Sequence, residues 1–196
     1  MKKVKKIVII LMAIILVFLY SNVDNTENMY SPNTDTSEYL ETGVIYEGSL
    51  QQTIIPNENI LDGISLKSGI IGNCKKVSLE YALLNERGQK VAQGKVSANK
   101  IKDKKFFKFS FPQVKDCKGK KYVFQLEEIG ATEESGITFY IDPSITKNLI
   151  IDGKGIKGTL VAKLVSHRFD LKTFIIVSVF ILYLTAFTKI LYKLFK

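Results

Sequence analysis

One six-residue run has a spacing that could do chemistry. Gly153-Lys154-Gly155-Ile156-Lys157-Gly158 spells the G-x-G-x-x-G of a dinucleotide loop. That loop needs a strand before it and a helix after it, so that a helix N-terminus meets the pyrophosphate. Here Thr159-Leu160-Val161-Ala162-Lys163-Leu164-Val165 follows and reads as a strand. The run is therefore expected to be a hairpin loop, and no cofactor is expected. Glu127/Glu128 and Glu133/Glu134 flank Gly130 and could be offered as an acid/base pair. Neighbours on a strand point to opposite faces, and the second pair falls in a polar loop, so solvated carboxylates are the expectation. His167 is the single histidine, which excludes multi-histidine metal sites, and a Ser/His hydrolase is not expected. Next to Arg168, it reads as an interfacial anchor. Neither Cys74 nor Cys117 has a histidine nearby in sequence, and two cysteines cannot build a four-cysteine zinc ribbon. No catalytic or metal set assembles, so a non-enzymatic protein is expected.

The elements around these residues are mostly strands. Val77, Leu79, Tyr81 and Leu83 alternate with Ser78, Glu80 and Ala82, and Phe107, Phe109 and Phe111 alternate with Lys108 and Ser110. Tyr122, Phe124 and Leu126 face away from Val123, Gln125 and Glu127. A period of two means half-buried strands. Further candidates are 44–55, 60–66, 89–97, 136–142, 147–152 and 158–165, and Asn85-Glu86-Arg87-Gly88 predicts a hairpin turn. Short strands at this density predict a mainly β protein whose residues 44–166 form an antiparallel β-sandwich. Residues 24–43 are acidic and rich in Ser and Thr, and predict a flexible linker.

Two apolar runs frame the strands. Residues 7–20 and 174–187 each lack a charge. At ~1.5 Å per helical residue such a run covers only ~21 Å of a ~30 Å hydrocarbon layer. Both can be extended if flanking lysines snorkel. Residues 7–23 predict a transmembrane signal anchor, with a cleaved signal peptide as the alternative, although no Ala-x-Ala-like site follows. Residues 171–191 predict a second transmembrane helix. The basic segment 1–6 and the basic tail 192–196 place both termini in the cytoplasm and the strands outside the cell. Cys74 and Cys117 then share an oxidising compartment, where a disulfide between them and two free thiols both remain open.

The chain carries a net charge of +9, yet residues 21–166 hold 19 basic and 18 acidic side chains, so nucleic-acid binding is not expected. Within that middle the charge is uneven. Residues 21–62 have no Lys or Arg, whereas Lys100, Lys102, Lys104, Lys105 and Lys108 crowd one stretch and Lys115, Lys118, Lys120 and Lys121 another. Solvated faces explain such a stretch, and an anionic-ligand patch facing lipid headgroups or a glycan is the alternative. There is no Trp. Tyr46, Tyr140 and Phe106 are the aromatic residues left over for sugar contacts, so a flat aromatic platform is not expected, and a polar groove stays open.

Ser49-Leu50-Gln51-Gln52-Thr53-Ile54-Ile55, Leu61-Asp62-Gly63-Ile64, the 77–83 and 107–111 strands and Val114-Lys115-Asp116-Cys117-Lys118-Gly119-Lys120-Lys121-Tyr122 form a series of short phrases. The series resembles the jelly-roll ectodomains fused to polytopic bacterial membrane proteins of surface-polysaccharide assembly, among them lipid-phosphosugar-dependent glycosyltransferases. The resemblance covers residues 47–142 and leaves out the enzyme part, because two spans cannot house a transferase site. It implies an accessory module that assists or recognises cell-surface glycan assembly, with a polytopic membrane protein and a glycan or lipid-linked saccharide as partners. A structural or adhesive subunit that binds proteins is the alternative reading.

Overall fold

The computed structural model describes the backbone of residues 2–195 and the side chains of Val8 and residues 11–195. The chain forms α1 (Lys2–Tyr20), β1 (Asn22–Asn28), β2 (Leu40–Glu41), β3 (Leu50–Ile54), β4 (Ile60–Ile71), β5 (Ser78–Asn85) and β6 (Lys90–Ser97). It continues through β7 (Lys105–Lys115), β8 (Tyr122–Ile129), β9 (Gly136–Asp142), β10 (Leu149–Ile151), β11 (Lys154–Ile156), β12 (Thr159–Leu160), β13 (Ala162–Phe169) and α2 (Leu171–Leu194). It divides into two compact units: residues 25–166 hold nearly all of the strands, and residues 1–24 with 167–196 hold both helices.

The strand unit is sandwich-like and antiparallel. One sheet runs β11-β10-β3-β8-β5-β6; the other runs β1-β13-β4-β9-β12, with β2 beside β9 and β7 beside β4. Most of the inward residues that the alternation predicts are buried; Phe107 is half-buried and packs against the core. Leu79 and Leu83 from β5, Phe124 and Leu126 from β8, and Phe109 from β7 are all nearly free of solvent contact. Phe109 is where the two sheets meet. Its ring centroid lies 5.1 Å from Tyr81, 6.3 Å from Phe124 and 6.3 Å from Phe139. Each such side chain contributes ~1.5–3 kcal/mol by burial, and edge-on ring pairs add ~0.5–1.5 kcal/mol. Tyr81 also donates its hydroxyl proton to Ser110 O at 2.7 Å, which ties β5 to β7 across the layers.

The predicted turns are in place. Asn85 accepts from Arg87 N at 3.0 Å and Gln89 N at 2.9 Å, and Gly88 takes a φ of +74°. The G-x-G-x-x-G run belongs to a β-hairpin: Ile151 pairs with Lys154, and Asp152 and Gly153 take φ values of +50° and +75°. Two left-handed residues in a row are what a two-residue hairpin turn requires, and Asp-Gly supplies them at low cost.

Residues 24–43 are not a free linker. Residues 22–28 form β1, an edge strand beside β13 with mostly exposed side chains. An edge strand is held by its backbone ladder, so a polar composition does not exclude it. After it, Met29 enters the core and donates its N–H to Ala162 O at 2.9 Å. Ser31 N and the Thr34 hydroxyl donate to buried Asp142 at 2.8 and 3.3 Å. The Thr42 hydroxyl accepts from Phe139 N at 3.0 Å. The segment is a strap over the outer face of β9, and every residue of β9 is buried.

The two thiols are not bonded. Both are buried and free. Cys74 Sγ donates to Ile71 O, beyond which β4 ends, and Cys117 Sγ donates to Glu58 O, just before β4 begins. A strand of this length spans ~35 Å at ~3.3 Å per residue, and a disulfide needs Cα atoms within ~7 Å.

In the helical unit, Asp170 caps α2 by accepting from Lys172 N at 2.9 Å and Thr173 N at 3.2 Å. Among the described residues, α2 is the one helix long and apolar enough to cross a membrane. Its 24 residues run past the expected 171–191 into the basic tail, of which Lys196 lies outside the described residues. The helix of the expected 7–23 anchor stops at Tyr20, and its described apolar part, Leu11–Tyr20, is shorter than a span. The side chains of residues 1–7, 9 and 10, including the basic segment 1–6, lie outside the described residues. Phe18 stacks on Phe169 at 5.3 Å, Asp170 N donates to Ser21 O at 2.8 Å, and His167 Nδ1 lies 3.0 Å from Asp24 Oδ1.

Candidate functional site

The outward positions of the six-stranded sheet build a polar groove. On β5 and β8 the inward residues are apolar except for Glu128, so Glu80 and Ala82, and Gln125 and Glu127, point away from the core. The register sets Gln51, Gln125, Ala82 and Gln93 in one row across four strands, and Glu127, Glu80 and Lys95 in the next. Ala82 is short, and its longer neighbours leave it only 7% exposed; it forms the floor. The resulting hollow has a volume of about 430 Å³ and is walled by Glu80, Gln93, Lys95, Gln125, Glu127 and Lys90.

Its side chains are prearranged by one another. Gln125 Nε2 donates to Glu127 Oε1 at 2.8 Å, and Lys95 Nζ donates to Glu80 Oε1 at 2.8 Å. The Lys95 hydrogen bond and charge hold the Glu80 carboxyl below the usual carboxylate range. Glu80 and Glu127 are directly opposite in register, which sets their Cβ atoms ~5 Å apart. Amides, carboxylates and an ammonium on a rigid sheet offer donors and acceptors to a hydroxyl-rich ligand.

Phe106 and Tyr140 come together on the outer face of the other sheet, where the strap brings Tyr30 and Tyr39 to them. Tyr30 stacks on Phe106 at 6.1 Å and Lys163 Nζ lies 4.6 Å from the centre of the Phe106 ring. Lys67 Nζ lies 4.9 Å from the Tyr39 ring and 5.0 Å from the Tyr140 ring. Ammonium groups lie over these rings and Tyr140 is only 9% exposed, so the cluster holds the strap down, while Phe106 keeps 39% of its surface exposed. Tyr46 stands apart from it, exposed between β2 and β3.

The lysine-rich stretch is not one patch. Lys100, Lys102, Lys104 and Lys105 lie where β7 begins, and Lys118, Lys120 and Lys121 follow its end. Lys108 lies on β7 between them, opposite Ser65. The 11 residues of β7 separate the two groups by roughly 33 Å.

Of the glutamate pairs weighed in the sequence, Glu127 lines the groove and Glu128 points into the core. Glu128 Oε2 accepts from Ile137 N at 2.8 Å and Oε1 from Ile45 N at 3.3 Å, and burial raises its carboxyl to about 7. It ties the two sheets together. Sequence reasoning missed the groove, although the outward amides of 51, 93 and 125 were a usable signal once the inward positions were known. No protein-family model matches the chain, and no curated protein matches its sequence.

Proposed function

We propose that this protein is a non-enzymatic, membrane-anchored module outside the cell that recognises a cell-surface glycan or a lipid-linked saccharide during its assembly, beside a polytopic membrane partner. The sandwich is read as a jelly roll, the N-terminal apolar segment as a second span, and both termini as cytoplasmic. The observation that carries the reading is the groove of Gln93, Gln125, Glu127, Glu80 and Lys95 over Ala82. Rigid strands bearing amides and charges can match sugar hydroxyls without paying to order a loop. The α2 anchor supports it by holding the module at a surface, which raises its effective concentration against membrane-bound saccharides.

The test uses the full-length protein in detergent on an array of bacterial surface glycans. Binding to a saccharide is expected, and Gln93→Ala with Gln125→Ala should weaken it at least about tenfold while leaving thermal unfolding in place. Binding to proteins alone, with no glycan retained, would replace this reading by that of an adhesive subunit.

A further inference from the structure

Six lysines from two separate stretches gather at one end of the strand unit. Lys75 and Lys76 lie on a short 3-10 turn, Cys74–Lys76, and Lys100 ends another, Ala98–Lys100. The two turns are neighbours: Ala98 N donates to Val77 O at 3.0 Å. Lys102, Lys104 and Lys105 follow in a tight turn closed by Lys105 N to Lys102 O at 3.3 Å. All six side chains are exposed, and among the described residues none forms an ion pair within 4 Å. Asp103 lies between them, but its Oδ1 accepts from Ile70 N at 3.0 Å. Glu133 and Glu134 sit on the adjoining β8–β9 turn, where Ser135 Oγ donates to Asn73 O at 2.7 Å. Six ammonium groups against three carboxylates leave this end positive.

The local backbone fixes this arrangement. Asn73 Oδ1 accepts from Lys75 N at 3.2 Å, Val77 N donates to Cys74 O at 3.1 Å, and Ile101 N donates to Ala98 O at 3.0 Å. Lys104 holds a φ of +55°, a left-handed conformation that costs a non-glycine residue energy. Like charges held this close repel one another, and an anionic ligand relieves that repulsion.

We propose that this crown of lysines captures glycan chains that carry repeated carboxylate or phosphate groups, so that the saccharide recognised by the module is anionic. The assignment rests on the glycan reading above. A long chain with spaced charges can meet several of these lysines together, which no single monosaccharide can do.

The experiment measures binding of full-length protein in detergent to alginate, to a phosphodiester-bearing mannan, to neutral mannan and to duplex DNA. Binding to alginate or the phosphorylated mannan is expected to exceed that to neutral mannan, and to weaken roughly tenfold or more between 50 and 300 mM salt. The variant Lys75→Gln, Lys76→Gln, Lys102→Gln should lose at least about tenfold in that binding. The variant Lys118→Gln, Lys120→Gln, Lys121→Gln removes the same charge from the other end of β7 and should stay within about twofold of wild type. Equal losses in both variants would make net charge responsible and overturn the crown. Equally tight binding to DNA would overturn it in favour of a nucleic-acid surface. Anionic binding untouched by the first variant removes the crown and spares the glycan reading; no binding to any glycan removes both.

Discussion

Glu128 shows how one residue can follow the sequence pattern and still escape its meaning. Tyr122, Phe124, Leu126 and Glu128 share the inward face of β8 by simple alternation. The period of two places the carboxyl inward, but it does not say that the backbone N–H groups of Ile137 and Ile45 meet it there. Burial raises its carboxyl from about 4.5 to about 7, so in that interval the folded chain holds a proton that the unfolded chain releases. Its contribution to stability is therefore full below about pH 4.5 and is lost as pH rises through about 7. The expected size is on the order of 3 kcal/mol. Urea unfolding of wild type and Glu128→Gln at pH 4.5 and pH 8 checks this. The wild type should lose stability relative to the glutamine variant by that order, and parallel pH curves would exclude it.

At the scale of elements, strand positions were legible and strand partners were not. The alternation in β5, β7 and β8 marks which residues face inward, because burial acts residue by residue. It cannot tell that β7 joins β4 in one sheet while β8 joins β3 and β5 in the other. The strap was misread for a related reason: its stability comes from hydrogen bonds to distant residues. Asp142 is the main clasp. Burial pushes its carboxyl up, but hydrogen bonds from Ser144, Ser31 and Thr34 outweigh this and hold it below the usual range. Asp142→Ala strands those donors and should cost roughly 2–4 kcal/mol. Limited proteolysis should then cut residues 30–39 well before the sandwich. A strap as resistant as in the wild type would show that the aromatic–lysine contacts alone retain it.

At the scale of the whole molecule, anchoring is the property that composition bears on most directly. Alkaline carbonate should fail to extract the full-length chain from membranes. A chain ending at Asp170, which lacks α2, should still resist extraction if the N-terminal segment spans; its release would make α2 the sole anchor. Apolar runs, hairpin turns and inward faces were all readable from the order of residues, since each depends on neighbours close in the chain. The groove, the lysine crown, the buried Glu128 tie and the separation of Cys74 from Cys117 were not. They depend on which strands pair and on how long β4 and β7 run, and those follow from contacts between residues far apart in the chain. Periodicity determines the side a residue faces, and tertiary pairing decides what it meets there.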